Sequence, residues 1–164
     1  DAIPALTTEK AVALFEKFGV FTRAELQSRA EIQYETYAKV INIEAKSMID
    51  IASKQLIPAA IKYTKQLADT VIAVKSCGVD ASVQEEILRE TSALLAQART
   101  ALAALVELDV KGASLQRGEK QAVFFNQEVV PAMEALRKPI DKLEMIVEKD
   151  MWPMPSYGDM IFEV

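Results

Sequence analysis

Four groups of residues have types and spacings that invite chemistry. Gly112-Ala-Ser-Leu-Gln-Arg-Gly118-Glu-Lys120 resembles a glycine-rich loop, whose backbone N–H groups can cradle a phosphate. It departs from that pattern in having five residues between the glycines, Glu119 where a lysine is needed, and no preceding strand. It therefore reads as a loop between helices. Glu85, Glu86 and Glu90 could be imagined as ligands of a divalent metal. They fall in the first turns of an expected helix, where carboxylates complement the helix dipole. Cys77, the single cysteine, would need a neighbouring base to become a nucleophile and reads as a small residue beside a turn. The six methionines are scattered and read as core filling. There is no histidine at all. Hydroxyl–imidazole triads, histidine-ligated zinc and Glu-x-x-His di-iron sites are thereby excluded from this chain.

Charge narrows the partners. Lys and Arg total 19 against 24 Asp and Glu, a net charge of -5, with no basic block. Such a chain is a poor binder of nucleic acid, since phosphate neutralisation supplies most non-specific affinity. One cysteine cannot form an internal disulfide, which fits a reducing compartment. No apolar run approaches the ~18 residues of a membrane span. Asp1-Ala2-Ile3-Pro4 does not resemble a signal peptide, so a cytoplasmic location is expected, without membrane or nucleic-acid partners.

The elements that would position these residues are helical. The expected fold is all-α: an elongated antiparallel bundle of three long helices plus a short N-terminal helix, with an extended C-terminal tail. The 164 residues are expected to form one domain, with helices near 8–18, 23–75, 83–111 and 119–150 and a tail over 151–164. Thr8 can cap the first helix and Gly19 can stop it. Thr22 with Glu25, and Ser82 with Glu85, have capping-box spacing. Ser76-Cys77-Gly78-Val79-Asp80 reads as a turn. Pro58 kinks or breaks the second helix by freeing the Lys54 carbonyl. Pro131 and Pro139 do the same to the carbonyls of Gln127 and Ala135 in the fourth.

The second helix has a seam at Ala30, Tyr34, Tyr37, Ile41, Ala45, Met48, Ala52, Leu56, Ala59, Tyr63, Leu67, Thr70 and Val74. Its 4-3-4 steps repeat every 11 residues, which keeps the seam on one side of a nearly straight helix. The third helix has a plainer seam of Ile87, Thr91, Leu94, Ala98, Leu102 and Leu105. At about 1.5 Å per residue the second helix spans roughly 80 Å and the third roughly 45 Å. A short turn at Gly78 then leaves the Ala30-to-Met48 half without cover from the third and fourth helices. Tyr34, Tyr37 and Ile41 are therefore expected at an interface with another chain or another part of the same protein. In the tail, Trp152-Pro153-Met154-Pro155 must be extended, Ser156 to Asp159 reads as a turn, and Met160 to Val164 as a short strand. Trp152, Tyr157 and Phe162 are the candidate contact residues there, docking on the chain's own bundle or on a different domain or subunit.

Both ends of the chain resemble a known family. Leu14-Phe-Glu-Lys-Phe-Gly-Val-Phe-Thr-Arg-Ala-Glu-Leu26, Ser28-Arg29 and Glu31-Ile32 are similar to the start of the C-terminal region of type III glutamine synthetases. Tyr37-Ala-Lys-Val-Ile-Asn-Ile-Glu-Ala45, Met48-Ile49 and Leu56-Ile57-Pro58-Ala59 continue the likeness, and Trp152-Pro-Met-Pro-Ser-Tyr-Gly-Asp159 resembles the family's terminus. The resemblance implies a parent ligase, a large bacterial enzyme that joins ammonia to glutamate using ATP and Mg or Mn and assembles as double rings. That family's catalytic, metal and cofactor residues lie upstream, so no catalytic, metal or cofactor-binding residue is carried onto this chain. The implied partners are the upstream catalytic region and further copies in a homo-oligomer. The implied role is a non-catalytic structural or oligomerisation domain; the alternative is a regulatory interaction module acting on the attached enzyme. Asp1, not being an initiator methionine, fits an excised piece.

Overall fold

The computed structural model describes residues 2–155 and 157–162, the Tyr157 side chain excepted. Every regular element among them is a helix. In order these are α1 (Ala2–Ala5), α2 (Glu9–Lys17), α3 (Arg23–Ile51), a π-helical turn at Ala52–Leu56, and α4 (Ile57–Ser76). Then come α5 (Ser82–Ser114), α6 (Glu119–Phe124), a second π-helical turn at Phe125–Val129, and α7 (Val130–Ile146). A 3₁₀ turn at Lys149–Met151 and α8 (Tyr157–Phe162) close the described chain. From Arg23 to Ser76 the backbone is one helical run of 54 residues.

Among the described residues, continuous helical runs of seven or more residues number four, at 9–17, 23–76, 82–114 and 119–146, so the exact count of three long ones does not carry over. The tail differs more. Residues 157–162 are helical, where a turn at 156–159 followed by a strand was expected. Apolar residues in so short a stretch fit either state, and the described residues include no neighbouring strand for a ladder to form on. Residues 163 and 164 of that strand, and Ser156 of the turn, lie outside the described residues.

The helix ends follow local chemistry. Ala11 N–H donates to Thr8 Oγ1 at 3.4 Å, and Gly19 takes φ +63°, a left-handed geometry that ends α2 cheaply only with glycine. Thr22 and Glu25 form the expected capping box. Thr22 N–H donates to Glu25 Oε2 at 2.8 Å, and Glu25 N–H donates to Thr22 Oγ1 at 3.3 Å. The second box is not made. Ser82 gives both its N–H and its hydroxyl to Asp80, at 3.3 and 2.6 Å, while Glu85 pairs with Lys75 and with Arg89. A charged acceptor two residues upstream outcompetes the reciprocal serine–glutamate bonds, because charge-assisted hydrogen bonds are the stronger kind.

Pro58 does not break its helix. The π turn ends two residues before it, and Ile57 N–H reaches back five residues to the Ala52 carbonyl. Pro131 repeats the arrangement, with Val130 N–H on the Phe125 carbonyl. Widening the turn moves the carbonyls that the proline ring would strike and absorbs the missing N–H. Pro139 lies buried inside α7 without such a turn.

Two compact units divide the chain: residues 1–46 with 107–131, and 47–106 with 132–164. The core of the first is built from Val12, Leu26, Ala30, Ala38, Ala45, Ala122, Phe125 and Val129. That of the second is built on Leu56, Ala60, Leu94, Ala98, Leu102, Leu105, Leu136 and Leu143. Thr91, a polar member of the α5 seam, is buried and returns its hydroxyl to the Ile87 carbonyl at 2.8 Å. Of the α3–α4 seam, only Thr70 is exposed.

Candidate functional site

In the first unit the candidate tyrosines are not bare. Tyr34 and Tyr37 are half-buried, as is Ile41. The Tyr34 hydroxyl donates to Glu119 Oε1 at 3.4 Å, and Asn126 Nδ2 donates to the Tyr37 hydroxyl oxygen at 2.7 Å. Burial, with the Glu119 carboxylate beside it, pushes the Tyr34 hydroxyl above its usual pKa. The expectation that this half of α3 lacks cover from the later helices is therefore overturned. α5 runs 33 residues, about 50 Å, far enough for Asp109 to meet Asn42. The loop at 115–118 then starts α6 beside Tyr34 instead of returning it along the later half of the helix.

Asp109 is the functional-looking residue that pattern reading passed over. It is 5% exposed, with Asn42 Nδ2 donating to its Oδ1 at 2.8 Å. Its position was legible: four residues beyond Leu105, it continues the buried seam of α5, as Gly112 does three residues later. Burial raises its pKa above the usual 3.8, against the opposing pull of Lys46 and the Asn42 hydrogen bond. A raised carboxylate pKa means the folded state disfavours the charge. Its contribution to stability is therefore greatest below pH 3.8 and declines as pH rises through the folded value. Asp109→Asn, which keeps an acceptor for Asn42, is expected to be more stable than the parent at pH 7. The difference should vanish on acidification to about the unfolded carboxylate range. Urea unfolding of both proteins between pH 3 and 7 checks this, and a pH-independent gap would contradict it.

In the second unit Trp152 is only 9% exposed, and its indole N–H meets no acceptor among the described residues. Its backbone N–H donates to the Glu148 and Lys149 carbonyls, both at 3.1 Å. Phe162, by contrast, is 83% exposed, next to exposed Ile161 and Met160. Lys149 Nζ donates to Asp159 Oδ1 at 2.7 Å and ties α8 to the 3₁₀ turn. The Tyr157 side chain lies outside the description. The residues expected as contacts thus lie in two places: Tyr34, Tyr37 and Ile41 in the first unit, Trp152 and Phe162 in the second.

Neither chemistry-like motif becomes a site. Gly112 is inside α5, packed by aromatic rings, and Gly118 (φ +112°) sits in the loop before α6. Glu85 is engaged by Lys75 and Arg89, and no group of three metal-capable side chains occurs among the described residues. None of the described helices is long and apolar enough to cross a membrane.

What the described residues define is an all-helical domain with locally capped helix ends. Residues 1–75 match the family of glutamine synthetase C-terminal domains. The whole chain is 33% identical to the type-3 glutamine synthetase of Dictyostelium discoideum over 172 residues, covering 99% of this chain and 23% of that protein. It is 28% identical to the glutamine synthetase of Butyrivibrio fibrisolvens, with 100% of this chain and 24% of that protein aligned. With the glutamine synthetase of Bacteroides fragilis it shares 24% identity over 93% of its length and 22% of the relative's. In particular, the chain is similar to the C-terminal part of the type-3 class. The chain spans about a quarter of the length of the curated relatives it matches.

Proposed function

We propose that residues 1–164 act as one non-catalytic structural domain of a type-3 glutamine synthetase, packing on an upstream catalytic region and organising a homo-oligomer. The parent reaction would be the ATP-dependent ligation of ammonia to glutamate, with ATP and Mg or Mn held outside this segment. The observation that carries the reading is the exposed apolar end of α8: Met160, Ile161 and Phe162 present consecutive apolar side chains to solvent, Phe162 at 83% exposure. A helix that holds such residues out, pinned by Lys149 and Asp159, gains by burying them against another surface. Phe162 and the uncovered edges of Tyr34, Tyr37 and Ile41 are the contacts we assign, with Trp152 as the anchor and Tyr157 five residues further along the chain.

The test is made in the full-length enzyme. Phe162→Asp should shift the particle to smaller species by light scattering, leaving the helical content of this domain unchanged. Unaltered assembly would remove the oligomerisation role. Deleting the domain separates this reading from the regulatory one, which predicts intact assembly with altered feedback. The compartment we assign is the cytoplasm.

A further inference from the structure

A cavity of about 160 Å³ opens in the first unit between α3 and the α5–α6 junction. Its floor is apolar, formed in part by Ala38 and Phe125, 2% and 1% exposed. Its rim carries Lys39, Arg117, Asn42, Gln121 and Glu35. We infer that this cavity binds a small aliphatic monocarboxylate, with its carboxylate on Arg117 and its alkyl chain on the Ala38–Phe125 floor. The inference is independent of the oligomeric role proposed above.

Charge points to an anion. The chain as a whole carries -5, yet two cations against one carboxylate surround this cavity. Arg117 has no hydrogen bond or ion pair among the described residues, so its planar fork of donors is uncommitted. That fork matches a carboxylate with two parallel hydrogen bonds. Lys39 is already shared with Glu35 at 3.4 Å and adds a point charge. The two amides are held from behind: Asn42 Nδ2 on Asp109, and Gln121 Nε2 on the Gly112 carbonyl at 3.0 Å. Each keeps a second N–H.

Size and sign select within the anions. The volume equals the liquid share of about five water molecules, the scale of a three- to five-carbon acid. Glu35 on the rim opposes a second negative charge, which disfavours phosphate, carrying about 1.5 to 2 charges at neutral pH. The buried floor suits methylene groups better than further hydroxyls or oxygens.

Titration of the 164-residue chain with sodium propionate, followed by ¹⁵N–¹H spectra at constant ionic strength, tests this. Saturable shifts confined to residues 35–42 and 113–125 are expected. Arg117→Gln should weaken binding about tenfold, and Arg117→Lys should lie between, having the charge without the fork. Arg117 is exposed, so both variants should keep the parent's dispersed spectrum. Shifts that grow linearly without saturating would overturn the proposal, as would equal affinity in Arg117→Gln. Inorganic phosphate binding more tightly than propionate would overturn the assignment to monocarboxylates.

Discussion

Phe125→Ala is expected to destabilise the chain by about 3–5 kcal/mol, the usual cost of removing a fully buried ring. For a chain of this size that lowers the melting temperature by roughly 6–20 °C. Phe125 is the largest of the fully buried side chains, at 1% exposure. It opens the π turn before Pro131, and its Cζ and Cε2 atoms lie against the place where a Cβ on Gly112 would stand. The same ring lines the cavity beneath Arg117, so its loss enlarges an existing hole instead of making one that neighbours can fill. Helices held by capped ends and by a shared seam relax little into such a space. Thermal and urea unfolding measure the effect, and a loss below about 1 kcal/mol would mean that this ring is not the keystone of the first unit's core. Propionate binding should weaken in the same variant, since the floor of the proposed site goes with it.

The reciprocal experiment is Gly112→Val, expected to cost about 1–3 kcal/mol through overpacking. Glycine in a helix interior is itself unfavourable by about 1 kcal/mol relative to alanine, so its presence in α5 needs a reason. The reason is room. A Cβ at this position would stand 3.0 and 3.1 Å from Phe125 Cζ and Cε2, and 3.2 Å from Phe124 Cδ1. A single methyl sets the gain in helix propensity against those close approaches, so Gly112→Ala should change stability little. Valine's two further methyl groups have no space without displacing a ring. If the clash is with Phe125, shortening that side chain relieves it. The Gly112→Ala, Phe125→Leu double variant should then be more stable than the sum of the single changes allows, by about 0.5–3 kcal/mol of coupling. Strict additivity would show that the glycine answers to something other than this ring.

The sequence alone carried the helical reading far because its evidence is local. Capping residues, left-handed glycines and an apolar period act within a few residues of themselves. Thr8, Gly19, the Thr22–Glu25 box and the Gly78 turn consequently lie where pattern reading put them. The family was legible for the same reason, since its motifs at both ends are continuous in the chain. Misreadings arose where two local preferences compete. Asp80 took Ser82 from Glu85, and a short apolar tail became helix where the described residues offer no strand to pair with it. Pro58 could have broken or kinked its helix, and only the formation of a π turn decided that the run continues.

What the sequence by itself determined is that this chain is helical, where most of its helices begin and end, and that it lacks the imidazole chemistry of so many active sites. Tertiary structure alone decided that Asn42 meets Asp109, that Tyr34 and Tyr37 find Glu119 and Asn126, and that Gly112 makes way for Phe125. These partners stand between 13 and 89 residues apart in the chain. Periodicity names the face a residue occupies, but the partner across that face depends on how far α5 runs and where the loop at 115–118 sets down α6. A seam of one helix holds no information about the length of the next.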